Sequence, residues 1–333
     1  MYKVLVTSRM FGTISDEPIK RLRSVPSEIV HSPYKGVTHS EAQMLEIIPG
    51  VDAVIMGADR ITKRVIERAD RLKVLSVHGV GVDQIDGDAA TRKGIYVTNA
   101  PGCNTQAVAD FTFGLMLAAA RNIPRIDRAT KEGQWKSWTG TELAGKTLGL
   151  IGMGSIGKAV ARRAAGFGMA VLAYDIYQDV AFAETHGVTY VPLDDLLRAS
   201  DIISVHLSLS DKTIGLLSRD KLSLMKGSAY LINTSRGNIL DEAALVEMLR
   251  QKQIAGAAVD VYSREPPTDL DALNLPNLIT TPHTAAFTHE AIDKASKISA
   301  ENVARVLSGL PPLYGVNSDR LETSDKIEDE KQK

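Results

Sequence analysis

The stretch Leu148-Gly-Leu-Ile-Gly152-Met-Gly154-Ser155-Ile156-Gly157 decides the fold of this chain. It continues the apolar run of a predicted strand and leads into a predicted helix. In such a strand–turn–helix, the first glycine permits the tight turn, the second lets the backbone approach a pyrophosphate, and the third lets helix and strand pack closely. Free amides at the helix start, near Ser155 and Ile156, offer hydrogen-bond donors to the anion. The stretch therefore predicts a nucleotide-binding α/β domain.

An acidic residue further along the chain supports this interpretation. The next predicted strand, Ala170-Val-Leu-Ala-Tyr-Asp175, ends in an acid 18 residues after Gly157. A carboxylate at that place accepts hydrogen bonds from the ribose hydroxyls and repels a 2′-phosphate. A glycine turn by itself could serve packing alone, whereas the glycines together with Asp175 predict a dinucleotide and favour NAD over NADP.

Short β-branched runs alternate with helical patterns along the chain, which predicts an α/β fold with mostly parallel sheets. One helix is predicted from about Thr105 to Arg121, and a last one opens at Thr288 and closes before Gly309. Four strands are predicted before the glycine stretch and six from it onward: Lys3–Val6, Ala53–Met56, Val74–Val77, Ile95–Thr98, Thr147–Gly152, Ala170–Asp175, Ile202–His206, Ala229–Asn233, Ala257–Val261 and Leu278–Thr281. The six later strands fit one doubly wound sheet.

The composition limits the classes of partner. The chain has 333 residues, enough for two domains, and its 39 basic and 40 acidic residues give a formal net charge of -1. A protein that neutralises nucleic-acid phosphates needs a basic excess, so no nucleic-acid partner is predicted. The most apolar long stretch, Phe111–Ala120, has ten residues where a bilayer span needs about 20, so no membrane partner is predicted.

The cysteine and histidine content bears on the compartment and on metal binding. A single cysteine, Cys103, excludes an intramolecular disulfide framework and fits a reducing compartment, so a cytoplasmic protein is predicted. The seven histidines show no spacing typical of metal ligands, such as HExxH, and no catalytic metal is predicted.

Charged side chains follow three consecutive predicted strands, at the edge of the sheet that faces the ligand crevice. Arg236 comes after the strand that ends at Asn233, Glu265 follows the next strand, and His283 follows the last. Each has an ordinary alternative: a surface salt bridge for Arg236, a solvated loop acid for Glu265, and a satisfied core histidine for His283. All three follow consecutive strands of a sheet that also carries a predicted nucleotide-binding turn, and this placement favours a catalytic role for all three.

These three residue types suit hydride transfer to a 2-oxo acid. A guanidinium such as that of Arg236 binds a carboxylate through two parallel hydrogen bonds. An imidazolium at His283 can donate a proton to the developing alkoxide near neutral pH. A carboxylate partner favours the charged imidazole and orients it, and Glu265 is the candidate for that partner.

Six stretches within about residues 50–310 match the motifs of one enzyme family: His78–Asp83, Asn99–Asp110, Gly145–Gly157, Asn233–Gly237, Asp260–Pro267 and Pro282–His283. On these residues the chain resembles the D-2-hydroxyacid dehydrogenase family, and most of all its D-3-phosphoglycerate dehydrogenase branch. The resemblance implies two Rossmann-like domains with doubly wound parallel sheets and a homodimer built largely around the nucleotide domain.

The resemblance also implies a discontinuous domain arrangement. A substrate domain would combine residues 1–101 with residues 285–317, and a NAD-binding Rossmann domain would comprise residues 102–284. Residues 318–333 hold six acids and four bases with only two large apolar residues, and this composition predicts a disordered tail.

The family's functional residues carry over to this sequence one by one. Its catalytic trio falls on Arg236, Glu265 and His283, in agreement with the reading of the strand ends. The resemblance implies that the substrate carboxylate is held by the backbone of Gly79, Val80 and Gly81, with Asn104 beside it. Cofactor contacts would come from Ser155, Ile156, Asp175, His206, Thr234 and Asp260, the last of which would bond the nicotinamide carboxamide.

Two departures from the phosphoglycerate branch leave the substrate open. That branch often carries an arginine just before the glycine loop, where this chain has Val77, and a second basic residue where it has Gly57. Arg60 or Arg9 could substitute, because phosphate recognition needs cationic donors. An unphosphorylated acid, such as hydroxypyruvate or glyoxylate, is therefore an alternative substrate. A further alternative is a NAD(H)-sensing, non-catalytic scaffold similar to the family's transcriptional corepressors, which can retain the same trio.

Overall fold

The computed structural model describes residues 1–34 and 38–321. The strands run, in chain order, over β1 Tyr2–Val6, β2 Ser27–His31, β3 Ala53–Met56, β4 Val74–Val77, β5 Tyr96–Thr98, β6 Thr147–Ile151, β7 Ala170–Tyr174, β8 Val188–Tyr190, β9 Ile202–Val205, β10 Tyr230–Asn233, β11 Gly256–Val259 and β12 Leu278–Thr280. The α-helices run over α1 Glu17–Arg23, α2 Glu41–Ile47, α3 Lys63–Arg68, α4 Gly87–Arg92, α5 Thr105–Ala120, α6 Ile123–Lys131, α7 Ser155–Gly166, α8 Val180–His186, α9 Leu193–Ala199, α10 Arg219–Leu222, α11 Glu242–Arg250, α12 Leu270–Leu273 and α13 His289–Leu307.

The chain folds as two compact units. Unit 1 comprises Met1–Asn104 and the residues from Phe287 onward, and unit 2 comprises Thr105–Ala286. The divisions lie a few residues beyond those expected from the sequence, at 101/102 and 284/285. The turn before α5 stays in unit 1 because the Lys294 ammonium of α13 donates to the Gly102 carbonyl at 3.0 Å.

In the described part of unit 1, five parallel strands form a sheet in the order β2-β1-β3-β4-β5. Helix α13 returns to this unit and packs its apolar face, including Ala300, Val303 and Leu307, on residues of β1, β3 and β4. The sequence predicted four of these strands and missed β2. That strand lies at the edge of the sheet with most of its length half exposed, so its Ser-Glu-Ile-Val-His sequence lacks the apolar run of a central strand.

The other edge of this sheet, at β5, is covered by the segment that follows α13. The Val316 amide donates to the Val97 carbonyl at 2.7 Å. The buried Asn317 side chain extends the pairing, since its Oδ1 accepts from the Val97 amide and its Nδ2 donates to the Ile95 carbonyl. These bonds occupy backbone groups that an open strand edge would leave exposed.

Residues 318–321 differ from the predicted disordered tail. They form a helical turn in which Leu321 is 7% exposed. The Arg320 guanidinium lies 2.8 Å from the Asp88 carboxylate at the start of α4. Burial of one of the tail's two large apolar side chains therefore orders its first turn, and the remainder of the predicted tail, residues 322–333, lies outside the described residues.

In unit 2, all of whose residues are described, seven parallel strands form a sheet in the order β12-β11-β10-β9-β6-β7-β8. The sequence predicted six of them and missed β8, which has three residues with an exposed threonine in the middle. Successive strands are added on one side of β6 from β7 to β8 and on its other side from β9 to β12, so the strand order reverses at β6. In open α/β sheets a ligand crevice forms at such a switch point, outside the carboxyl ends of the strands.

Two predicted helix boundaries are confirmed. The Thr288 hydroxyl caps α13 by accepting a bond from the Ala291 amide at 3.2 Å, and the helix ends before Gly309. Helix α5 begins at Thr105, as predicted, and places its buried residues against the sheet of unit 2. Within the described ranges, none of the helices combines the length and apolar character needed to cross a membrane.

Candidate active site

The glycine turn after β6 has the packing that the sequence predicts. Gly152 has a φ of +101°, and a Cβ there would lie 2.8 Å from the His206 carbonyl. A Cβ on Gly157 would lie 2.1 Å from the Gly152 carbonyl oxygen. At Gly154, by contrast, no atom of the described residues outside its chain neighbours lies within 4 Å of a Cβ position. The protein's own packing requires the first and third glycines, whereas the second keeps a space open that a ligand can fill.

The start of α7 and the end of β7 supply polar groups beside this space. Gly154 is the N-cap residue of α7, so the amides that begin the helix, at Ser155 and Ile156, receive no side-chain cap. Asp175 follows β7, and its carboxylate accepts from the Met153 amide at 2.6 Å. The turn thus holds one carboxylate near amides suited to a pyrophosphate, and this donor and acceptor set fits a dinucleotide.

Two other predicted cofactor residues lie at the carboxyl ends of neighbouring strands. His206 follows β9, and its Nε2 lies 2.9 Å from the Ser204 hydroxyl. Burial lowers the pKa of His206 to about 3, so the ring is neutral at physiological pH. Thr234 follows β10 and is buried, with its hydroxyl 3.0 Å from that of Thr112 on α5.

Asp260, at the end of β11, is fully buried. Its Oδ1 accepts from the Thr281 hydroxyl at 2.5 Å and from the Thr284 amide at 2.9 Å, and its Oδ2 accepts from the Ala285 amide at 2.9 Å. These bonds fasten the loop after β12, which carries His283. The contact of Asp260 with a nicotinamide carboxamide stays a prediction.

His283 and Glu265, from two different loops, form a hydrogen-bonded pair. Nδ1 of His283 lies 2.7 Å from Oε2 of Glu265, and both side chains are about two-fifths exposed, at 43% and 37%. The backbone of His283 has a φ of +51°, and its amide donates to the Asp260 carbonyl at 2.8 Å. With Nδ1 directed at the carboxylate, Nε2 is the ring nitrogen left to exchange a proton with a ligand.

The surroundings of Glu265 favour its charged form. Partial burial acts to raise its pKa, but the hydrogen bond and charge of His283, the Tyr262 amide and the Arg236 charge together hold the pKa below its ordinary value. The Tyr262 amide donates to Oε1 at 3.2 Å. The carboxylate is therefore ionised near neutral pH and can stabilise a protonated imidazole beside it.

Arg236 follows β10, one residue before a short 3-10 helix, Gly237–Ile239. A Cβ on Gly237 would lie 2.0 Å from the Tyr262 carbonyl carbon, so the loop that carries Arg236 touches the loop that carries Glu265. The Asn233 side chain donates to the Arg236 carbonyl at 3.0 Å. Backbone packing thus brings Arg236 and Glu265 to one edge of the sheet.

Tyr262 lies within the motif Asp260–Pro267, and the sequence predicted no role for it. Its hydroxyl donates to the Thr281 carbonyl at 2.9 Å, which joins the Glu265 loop to the His283 loop. Burial, together with the charges of Asp260 and Glu265, raises the pKa of Tyr262 to about 12, so the hydroxyl keeps its proton. The motif could not reveal this link, because its partner lies 19 residues further along the chain.

The predicted substrate residues lie in unit 1. Gly79, Val80 and Gly81 follow β4 at the carboxyl edge of that sheet, and among the described residues their amides find no hydrogen-bond acceptor. Asn104 is the last residue before α5. These backbone donors can bind an anion.

His78, just before this loop, is held by two serines. Its Nδ1 lies 3.1 Å from the Ser8 hydroxyl and its Nε2 lies 2.8 Å from the Ser296 hydroxyl. Burial lowers the pKa of His78 to about 4. The ring is therefore neutral near pH 7, and Val77 and Gly57 place no cation at the positions where the phosphoglycerate branch often has one. Across residues 1–34 and 38–321, no group of three or more His, Cys, Asp and Glu residues is placed to hold a metal ion.

Comparison with known proteins identifies relatives of both parts of the chain. Residues 113–285 match the family model described as D-isomer specific 2-hydroxyacid dehydrogenase, NAD binding domain. This match lies wholly within unit 2 and confirms the prediction of a NAD-binding domain.

Two relatives carry different names. The chain is 44% identical over 313 residues to a D-3-phosphoglycerate dehydrogenase of Methanocaldococcus jannaschii, covering 93% of this chain but only 58% of that protein. It is 42% identical over 288 residues to a glyoxylate reductase of Korarchaeum cryptofilum, covering 84% of this chain and 87% of that protein. The chain thus spans about three-fifths of the first relative and most of the second.

One solved structure supports the fold and the nucleotide site. The crystal structure of D-lactate dehydrogenase from Aquifex aeolicus, complexed with NAD and lactic acid, matches with a TM-score of 0.81 and 28% identity. The match covers 92% of this chain and 96% of that one.

Proposed function

Because this chain belongs to the D-isomer specific 2-hydroxyacid dehydrogenase family, we propose that it interconverts a small 2-hydroxy acid and its 2-oxo acid, with NAD as the hydride carrier. The observation that carries this proposal is the pair formed by His283 and Glu265, 2.7 Å apart, at the crevice edge of a NAD-binding sheet. A histidine oriented by an ionised carboxylate is the acid–base group that reduction of a carbonyl requires.

Each residue of the trio has a separate task in this proposal. The Arg236 guanidinium binds the substrate carboxylate through paired hydrogen bonds. In the reductive direction, protonated His283 donates its Nε2 proton to the substrate oxygen, while the Glu265 carboxylate stabilises the charged ring. In the oxidative direction, neutral His283 accepts that proton. When bound, NAD(H) supplies or accepts the hydride at the substrate carbon.

The remaining predicted contacts fit the same reaction. The glycine turn holds the pyrophosphate at the amides of Ser155 and Ile156, and Asp175 accepts from the ribose hydroxyls. In unit 1, the loop of Gly79, Val80 and Gly81 binds the substrate carboxylate through its amides, with Asn104 beside it.

We propose an unphosphorylated substrate within this class. A phosphate group needs cationic donors, and neither Val77 nor Gly57 supplies one, which leaves that task to Arg60 or Arg9 if a phosphate is bound. We therefore expect higher kcat/KM with glyoxylate or hydroxypyruvate than with phosphohydroxypyruvate. The glyoxylate reductase relative, which the chain matches over most of its length, supports the same choice.

A spectrophotometric screen tests the function. NADH oxidation is followed at 340 nm with glyoxylate, hydroxypyruvate, pyruvate and phosphohydroxypyruvate, beside NADH titration by fluorescence. We expect turnover with at least one oxo acid. We expect His283→Ala to lower kcat by roughly 10³-fold with NADH affinity unchanged, because only proton transfer is lost.

His186→Ala is the control, since His186 lies on α8 of the same unit, outside the candidate site. Activity of His283→Ala equal to the control would remove the assigned role. Tight NADH binding without turnover of any oxo acid would favour the non-catalytic scaffold instead.

The homodimer and the cytoplasmic location that the sequence predicted remain proposals. The family resemblance supports the homodimer. Light scattering on the purified protein tests it, and a mass of one chain at micromolar concentration would contradict it.

A further inference from the structure

The three carbonyl groups of the glycine loop after β4, those of Gly79, Val80 and Gly81, each accept a hydrogen bond. The Gly79 carbonyl accepts from the Ala100 amide at 2.7 Å. The Val80 carbonyl accepts from the Asn99 side chain at 2.8 Å, and the Gly81 carbonyl accepts from the Gln84 side chain at 3.3 Å. These bonds fix the direction of each carbonyl, and the amides of the loop remain as donors for a ligand.

Because the peptide bond is planar, the hydrogen bonds to these carbonyls also fix the direction of the neighbouring amides. The carbonyl of one residue and the amide of the next lie in one plane and point in opposite directions. Fixing the Val80 carbonyl therefore fixes the Gly81 amide, in the same way that fixing the Gly79 carbonyl fixes the Val80 amide. Glycine on both sides of Val80 leaves these planes free to rotate unless they are held, because glycine has few steric limits.

Asn99 is itself firmly placed. Its amide donates to the Tyr314 carbonyl at 3.3 Å, and its carbonyl accepts from the Asn302 side chain at 3.1 Å. Asn302 lies on α13, is fully buried, and also accepts from the Leu313 and Tyr314 amides. A helix of the core thus holds the backbone of Asn99, and the side chain of Asn99 holds the loop.

We propose that Asn99 is a positioning residue for substrate binding: it directs the Gly81 amide toward the substrate carboxylate by holding the Val80 carbonyl. This inference rests on the proposed function. Asn99 makes no contact with substrate in this proposal and takes no part in proton transfer, so its removal affects the binding of the carboxylate and leaves the chemical step intact.

Steady-state kinetics of Asn99→Ala, with the oxo acid that the unsubstituted protein turns over best, test the proposal. We expect KM to rise about 3- to 10-fold, the effect of losing one hydrogen bond, with kcat within about twofold. The inhibition constant of oxalate, a carboxylate probe, should rise by the same factor, while NADH affinity and melting temperature stay unchanged. A purely structural role would not move KM and the oxalate constant together.

Two further variants sharpen the test. Asn99→Asp keeps the shape but replaces the donor with a negatively charged acceptor, so KM should rise further than in Asn99→Ala. If the alanine variant does not fold, KM and the oxalate inhibition constant of Asn99→Asp test the proposal in its place. Asn274→Ala is the matched control, since its side chain also donates to one exposed carbonyl, that of Leu270 in unit 2, at 3.0 Å.

The outcomes separate this inference from the proposed function. Turnover by the unsubstituted protein with unchanged KM and oxalate inhibition in both Asn99 variants would overturn the inference and leave the function standing. A fall in kcat at constant KM would overturn it as well. Absence of turnover by the unsubstituted protein would remove both.

Discussion

In unit 1 the loops at the carboxyl edge of the sheet present backbone amides, whereas in unit 2 the corresponding loops present charged side chains. The loop after β4 in unit 1 has its carbonyls engaged, and the adjoining His78 is neutral. In unit 2, Arg236 and the Glu265–His283 pair follow β10, β11 and β12. Two parallel sheets thus carry different groups at their carboxyl edges, backbone amides suited to an anion in unit 1 and, in unit 2, charged side chains to which the proposed function assigns carboxylate binding and proton transfer.

The two edges differ in how their polar groups are positioned. Backbone amides need only a fixed direction, and single side chains such as Asn99 and Gln84 supply it. An acid–base pair needs a fixed distance and a fixed charge. In unit 2, hydrogen bonds to Asp260 and Tyr262 fasten the loop that carries His283, and the groups around Glu265 hold its pKa below the ordinary value.

The largest effect is expected where the charge of the pair is removed. Glu265→Gln keeps the shape and an acceptor oxygen but loses the charge that stabilises protonated His283, so kcat should fall roughly 10³-fold. The NADH oxidation assay measures it, with Glu184→Gln on the exposed face of α8 as control. If kcat is the same in Glu265→Gln as in Glu184→Gln, the charge of Glu265 does not support catalysis.

The same pair makes a pH prediction. The pKa of Glu265 is lowered, so its stabilising charge is present above the ordinary carboxyl range and is lost only as pH falls through that lowered value. The kcat profile should therefore show no loss from this carboxylate between about pH 5 and pH 9. A loss of the Glu265 effect already at pH 6 would contradict the lowered pKa.

The next effect concerns the distance between the loops of unit 2. In Gly237→Ala, the added Cβ would lie 2.0 Å from the Tyr262 carbonyl carbon, so the Arg236 and Glu265 loops must move apart. A displacement near 1 Å should lower kcat/KM by about 10²-fold. Gly227→Ala is the control, because its Cβ would have 3.6 Å to the nearest atom, the Gln253 carbonyl oxygen. Similar activity in both variants would show that the contact is unimportant.

A smaller effect concerns the neutral histidine of unit 1. Because the pKa of His78 is about 4 when folded, against 6.5 ordinarily, its contribution to stability is complete above pH 6.5 and is lost as pH falls toward 4. With partial solvent exposure taken into account, the loss should be roughly 2 kcal/mol. Urea unfolding measures the free energy of unfolding at pH 7 and at pH 4.5. Between these two values the unsubstituted protein should lose more of it than His78→Asn, by the amount given above. The control, His31→Asn on exposed β2, should behave as the unsubstituted protein.

The smallest effect concerns nucleotide choice. Asp175→Ala removes an acceptor for the ribose hydroxyls and a charge that repels a 2′-phosphate, so the preference for NADH over NADPH should narrow about tenfold. The ratio of kcat/KM values for the two nucleotides measures it, and Asp220→Ala on exposed α10 is the control. An unmoved ratio would mean that the ribose contact lies elsewhere.

Several features could be predicted from the sequence because they depend on neighbouring residues. Turn chemistry identified the glycine turn after β6 and the first residues of α5 and α13, and β-branched runs identified the central strands. The rule that parallel strands end at one edge predicts that Arg236, Glu265 and His283 lie at the same edge of the sheet. The edge strands β2 and β8 were not predicted, because their partly exposed sequences lack a continuous apolar run.

The tertiary structure decided what holds those residues in place. Asp260 reaches groups 21 to 25 residues away, Tyr262 reaches Thr281, and Asn99 is held by a residue 203 positions along the chain. Local patterns specify which backbone segments form and where polar groups follow them. Hydrogen bonds between distant loops depend on how those segments pack, and no spacing within one segment encodes them, so the positioning of the site could be seen only in the folded chain.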